Sequence, residues 1–172
     1  MKKLLCLGLL WGMVVFPTQA QSPYQADHES LDAIMEALYE VISGAQGEAR
    51  NWERFEALFI PEARLMPTGS NPETGKIGMR VWSPQDYIQM AGSRLEQMGF
   101  YEQEIHRVVE AYGPITHVFS TYESRHAPDE APFVRGINSI QLLNDGERWW
   151  IVSIYWSGET NANPLPAKYG GE

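Results

Sequence analysis

The hydrophobic rhythm of this chain changes at Gly99. Before it, apolar residues recur every three or four positions, the spacing of helices packed by one face. After it, four runs alternate with period two, at about 100–112, 115–127, 133–143 and 148–157. The breaks between them are short: Gly113-Pro114, then Pro128 to Pro132, then Asn144-Asp145-Gly146. Connections this tight join antiparallel neighbours, because a parallel pair needs a crossover of a dozen residues or more. Helices gathered ahead of a meander predict an α+β protein with helices on one face of a sheet. The runs exceed ten residues, so the strands must bend. A curved sheet wrapped on helices makes a cone with a hollow inside.

The helices carry their own punctuation. Leu31, Ile34, Met35, Leu38, Val41 and Ile42 form one stripe, with Ser30 as N-cap, Asp32 in the first turn and Gly44 as the stop. Trp52, Phe55, Leu58 and Phe59 share the face of a second helix, capped by Asn51 and ended by Pro61. A short strand is expected over 63–67 and an irregular flap over 68–82. In the third helix Ser83 caps, Pro84 takes the first position and Asp86 completes a capping box. Tyr87, Ile88, Ala91, Leu95 and Met98 make its stripe.

The first twenty residues follow another logic. Lys2 and Lys3 precede an apolar run of 13 residues, Leu4 to Phe16, then Pro17 and Thr18-Gln19-Ala20. This is the pattern of a secretory signal peptide cut after Ala20, and it is shorter than the roughly 18 residues a membrane anchor needs. The expected organisation is a leader over 1–20, a loose N-terminus over 21–29, one domain over 30–158 and a tail over 159–172. A periplasmic or secreted location follows. Cys6 is the only cysteine and leaves with the leader, so no disulfide is expected. Removal of Lys2 and Lys3 takes the net charge from −9 to −11. Nucleic acid and anionic membranes recruit clustered Lys and Arg, so neither is an expected partner.

Three stretches carry a family likeness. Asn51-Trp52-Glu53-Arg54-Phe55, through Leu58-Phe59 to Ala63-Arg64-Leu65, is similar to the second helix and first strand of the nuclear transport factor 2-like superfamily. Val118 to Arg125 resembles one of its long strands. Arg135 to Leu142, followed by Arg148 to Ser153, resembles its closing hairpin. Over residues 30–157 the chain resembles an exported bacterial member of the SnoaL-like, ketosteroid-isomerase-like branch. The resemblance implies a cone-shaped, cystatin-like fold: three N-terminal helices packed on a strongly curved antiparallel sheet. Ketosteroid isomerases set an Asp base against a Tyr and a protonated Asp in an apolar pocket. No Asp lies between Phe100 and Tyr122 here; the acids in that stretch are Glu102, Glu104 and Glu110. Relatives resembling scytalone dehydratase use His with Asp, and His106 is available for that part.

Four residues are candidates for catalysis. His106, mid-strand, titrates near neutrality and fits a general base, or equally an outward surface histidine. Glu123 shares a strand face with Arg125 and can reach Arg135 on the next strand. That is a carboxylate with a cation inside a cavity, or an exposed cross-strand pair. Tyr122 or Arg135 could stabilise an enolate-like oxygen. Trp52, Phe55, Tyr87, Asn138, Trp150 and Trp156 are the expected ligand-binding wall. On the last strand Trp150, Val152, Ile154 and Trp156 alternate with Trp149, Ile151, Ser153 and Tyr155, so both faces are apolar. Helices cover one; a second subunit, giving a homodimer through the sheet, would cover the other.

Neither cofactor nor metal is expected. The four histidines show no ligand spacing, and nucleophile-elbow and phosphate-loop motifs are absent. The expected function is an exported domain that binds a small, apolar molecule with one or two polar groups. The alternatives are a cofactor-independent lyase or isomerase in the same pocket, and a dimerising module with a filled cone.

Overall fold

The computed structural model describes residues 23–171; the leader expected over residues 1–20 lies outside them. Helix α1 (Leu31–Ile42) is capped by the Ser30 hydroxyl, which accepts from the Ala33 amide at 3.0 Å. Helix α2 (Trp52–Ala57) is capped by Asn51 in the same way. The third helical stretch opens with the capping box on Ser83 as α3 (Pro84–Tyr87). It widens into a π turn (Ile88–Gly92) and continues as α4 (Ser93–Met98). The widened turn brings Gly92 against Trp52, where a Cβ would sit 3.1 Å from the indole. No helix among the described residues is long and apolar enough to cross a membrane.

Six strands form one curved, unclosed sheet: β1 (Phe59–Ser70), β2 (Ile77–Met79), β3 (Tyr101–Tyr112), β4 (Ile115–Arg125), β5 (Val134–Asn144) and β6 (Trp149–Gly158). Their order is β2-β1-β6-β5-β4-β3. All neighbours are antiparallel except β1 and β6, which run parallel because the α3–α4 crossover returns the chain to the same side. The region expected as a short strand and flap is instead a long β1 closing with β2 as a hairpin. At the β3–β4 turn, Gly113 takes φ +56°, which a two-residue hairpin loop asks of its first central residue.

The register breaks at three places, one of them in β1 between Phe59 and Arg64, and the other two reassign the faces of the long strands. In β3 the register with β4 slips at Ile105, between Glu104↔Tyr122 and His106↔Thr121. In β6 it slips at Val152, between Ser153↔Gln141 and Ile151↔Leu142. An extra residue shifts every later side chain to the opposite face. Ile151 and Ile154 are therefore both buried, and Trp150 is separated from Trp156. The core lies between α1, α2 and the inner face, centred on Ile34, Met35, Phe55, Leu58, Val118 and Ile140.

The two flanking segments are more engaged than expected. Residues 25–28 form a 3-10 turn whose His28 is buried, its Nδ1 3.0 Å from the Trp149 carbonyl and its Nε2 2.7 Å from Arg148. The C-terminal segment crosses the outer face of the sheet. Thr121 donates to the Tyr169 carbonyl at 2.7 Å, Phe119 and Tyr169 pack at 4.8 Å, and Leu165 is buried.

Candidate functional site

A cavity of about 220 Å³ opens between α1, α3 and the inner face of the sheet. Its wall is aromatic: Tyr39, Phe55, Tyr87, Phe100, Tyr122 and Trp156. Phe55 stacks on Tyr87 at 5.3 Å, and Trp156 meets Tyr87 edge-on at 6.4 Å, so three of the rings form one continuous surface. Among the described residues, no Lys, Arg or His lines the cavity.

One carboxyl does. Glu102 is carried inward by the Ile105 bulge and pairs across the ladder with Ser124. Burial pushes the Glu102 carboxyl up to about 7; the Ser124 hydroxyl, donating at 2.8 Å, and the Asn138 amide only partly offset it. The surrounding phenols respond to the same environment. Burial, then the Glu102 charge, raises Tyr39, Tyr87 and Tyr122 well above the usual phenol range.

Behind Glu102 runs a directed chain of hydrogen bonds. Asn138 donates to the Tyr39 oxygen at 3.0 Å, and Tyr39 meets Ser120 at 2.7 Å. Ser120 donates to Glu104 at 2.5 Å. Since the Ser120 proton is committed to Glu104, Tyr39 must be the donor to Ser120. Arg107 holds Glu104 at 2.6 Å and Asp32 at 2.7 Å, anchoring the chain at the rim. Tyr122 is different. Its ring is buried, yet its hydroxyl has no hydrogen-bond partner among the described residues. Gly136 makes room for it: a Cβ there would lie 2.6 Å from the Tyr122 hydroxyl.

Of the residues singled out from sequence, Tyr122, Phe55, Tyr87, Asn138 and Trp156 are brought together on the cavity. Trp52 stands behind the wall, edge-on to Phe55. Trp150 is on the far side of the β6 bulge, under the Arg148 guanidinium and bonded to Asp145. The other three catalytic candidates lie on the outer face. His106 faces Thr121 across the ladder and packs against Gly170. Glu123 is held by Arg125 at 2.5 Å and Gln103 at 2.6 Å. Arg135 lies opposite Glu123 in the ladder and binds Glu159 at 3.0 Å. Sequence reasoning missed Glu102, Tyr39 and Ser124. The uninterrupted hairpin register from Gly113-Pro114 would pair Ile105 with Tyr122 and send Glu102 outward; the bulge reverses this.

This geometry has recognisable counterparts. The chain superimposes on a Nostoc punctiforme protein of unknown function with a cystatin-like fold at a TM-score of 0.55, with 12% identity, over 78% of this chain and 92% of that one. An NTF-2 like protein of unknown function from Silicibacter pomeroyi matches at 0.51 with 18% identity, over 75% and 92%. No protein-family model matches the chain, and neither does the sequence of any curated protein. The fold is the nuclear transport factor 2-like, cystatin-like cone. Within that class the chain is a cone with an open, aromatic-walled cavity that holds, among the described residues, a single carboxyl.

Proposed function

We propose that this chain is an exported domain that binds a small, largely apolar molecule in the cone and sets its polar group against Glu102. The observation that carries this reading is the place of Glu102, a carboxyl in an aromatic cavity whose described wall residues include no cation, where burial pushes it up to about 7. A half-buried carboxyl left so close to the point of ionising is costly, and such groups concentrate at sites of function. At about 220 Å³ the cavity lies just below the roughly 300–1,000 Å³ of drug-sized sites, so the ligand is of one-ring size. Trp156 and Tyr87 in the wall provide the readout. Titrating one-ring compounds should change tryptophan emission with saturation, and Glu102→Gln should change the affinity. Unchanged emission with every compound, in a folded protein, would overturn it.

The uncommitted Tyr122 hydroxyl favours a second reading, a cofactor-independent proton transfer. The Glu102 carboxylate takes a proton from the carbon beside a carbonyl, and the electron pair moves onto the oxygen. Tyr122 donates a hydrogen bond to that oxygen, and Glu102 returns the proton to carbon. Solvent deuterium entering a small cyclic ketone at that carbon, with the rate abolished in Glu102→Gln, is the expected result. Equal exchange in both proteins would leave binding alone.

A further inference from the structure

A second concave surface adjoins the cavity. Between α1 and β3 lies a cleft that shares Tyr39 and Glu102 with it, and whose walls carry, among the described residues, Asp32, Glu36, Glu40 and Glu104 against one cation, Arg107. Arg107 is already held by Glu104 and Asp32. The surface beside Glu102 is therefore strongly negative, on a chain of net charge −9, which draws cations toward it. Among the described residues, the cavity itself presents six aromatic side chains and a carboxyl that has no counter-charge in the wall. Tyr122, only 5% exposed, lines the same cavity, and its hydroxyl has no hydrogen-bond partner among the described residues.

We infer that the polar group of the ligand is a cation: the cavity is a site for a small apolar amine, bound as its ammonium ion between the aromatic wall and Glu102. Aromatic rings attract ammonium groups through their negative faces, more strongly where water is excluded. The ammonium ion also supplies the counter-charge that the buried carboxylate lacks. A carboxylate ligand would meet Glu102 with nothing to offset the repulsion. A neutral alcohol or ketone would satisfy the tyrosine hydroxyl and leave the carboxyl as it was. The inference rests on the small-molecule reading of the same cavity and specifies its ligand.

Binding should also be linked to protons. The groups facing Glu102 are Tyr39 from α1, Tyr87 from α3 and Tyr122 from β4, with Glu104, Arg107 and the α1 acids on the cleft side. The phenols stay neutral, so Glu102 is the group that must shed its proton before it can pair with an ammonium ion. Affinity should therefore fall as the pH is lowered past neutrality.

The test compares three molecules of one shape by calorimetry at pH 8: benzylamine as its ammonium ion, benzyl alcohol and benzoate. The expected result is benzylammonium at least about tenfold tighter than benzyl alcohol, with benzoate not bound. Lowering the pH to 5.5 should weaken benzylammonium about tenfold and leave benzyl alcohol unchanged. Glu102→Gln should bring the amine and the alcohol to parity, while Glu123→Gln on the outer face should preserve the preference. Benzyl alcohol binding as tightly as the amine overturns the inference and leaves the small-molecule reading standing. No saturable binding by any of the three overturns both. Equal loss in the two variants overturns it by showing attraction to the acidic surface in general.

Discussion

Glu102 and Glu123 leave opposite faces of one two-stranded ladder, a single register step apart. Inside the cone, burial dominates Glu102, and its partners are a hydroxyl and an amide; its carboxyl rises to about 7. Outside, burial also pulls Glu123 upward, but hydrogen bonds from Arg125 and Gln103 and the charges of Arg125 and Arg135 outweigh it, and its carboxyl ends low. The same residue type is held near ionisation on one face and firmly ionised on the other. What differs is the supply of cations, and that is set by which face the strand presents. The inner face carries uncommitted polar atoms in an apolar room. The outer face is closed by ion pairs and by the C-terminal segment. A binding site belongs on the first.

The largest effect should come from filling the inner face. In Gly136→Ala the new Cβ would lie 2.4 Å from the Ser157 carbonyl and 2.6 Å from the Tyr122 hydroxyl. One contact is backbone, so the ladder itself must shift. The expected loss is about 3 kcal/mol, read from the urea midpoint, with the Tyr122 hydroxyl displaced. A loss below about 0.5 kcal/mol would mean that the inner face is looser than the cavity requires.

Glu102→Gln sharpens the contrast with the opposite sign. An acid whose folded pKa is raised is tolerated best when protonated. Its contribution is intact below its ordinary value of 4.5 and is lost as the pH climbs through about 7. Glutamine keeps the shape and removes the ionisation. The variant should match the parent near pH 4 and exceed it by about 2 kcal/mol at pH 8. A difference that does not change with pH would break the comparison, because Glu102 would then be no more buried than Glu123.

Much of this architecture is legible in the sequence, for local reasons. The caps at Ser30, Asn51 and Ser83 act within one turn, and Gly113 imposes its hairpin on the adjacent residues. The site is less legible, since it depends on parity, and parity depends on two single-residue bulges. Ile105 looks like an ordinary inward strand residue and is instead 38% exposed, its place facing inward taken by Glu104. That one slip turns Glu102 into the cavity, while His106, on the hairpin side of it, keeps its place opposite Thr121 on the outer face. At Val152 a second slip separates Trp150 from Trp156. Nothing within a few residues of either bulge marks it; both follow from fitting a curved sheet to the helices beneath. The role of the last residues was hidden likewise, since Tyr169 finds Phe119 only once the sheet exists.

On the outer face the C-terminal segment should matter for stability and not for the cavity. Tyr169→Ala removes the ring packed on Phe119 and leaves the carbonyl that Thr121 bonds. The expected cost is about 1 kcal/mol in the urea midpoint, with one-ring ligands bound as before. A change in ligand affinity would mean that the two faces communicate through β4, and the contrast between them would need redrawing.

The smallest effect is expected at Glu123→Gln. The Arg125 pair is partly exposed, so its removal should cost at most about 1 kcal/mol, and less in added salt. The sign of its pH dependence is the informative part. A carboxyl whose folded pKa is lowered stabilises above its ordinary value of 4.5, and that contribution is lost as the pH falls through the folded value. Parent and variant should therefore converge on acidification, where parent and Glu102→Gln also converge, but from the opposite side. Going from pH 4 to pH 8, Glu123→Gln falls below the parent while Glu102→Gln rises above it. Two glutamates on neighbouring strands would then give titration differences of opposite sign, which one averaged environment for the sheet could not produce.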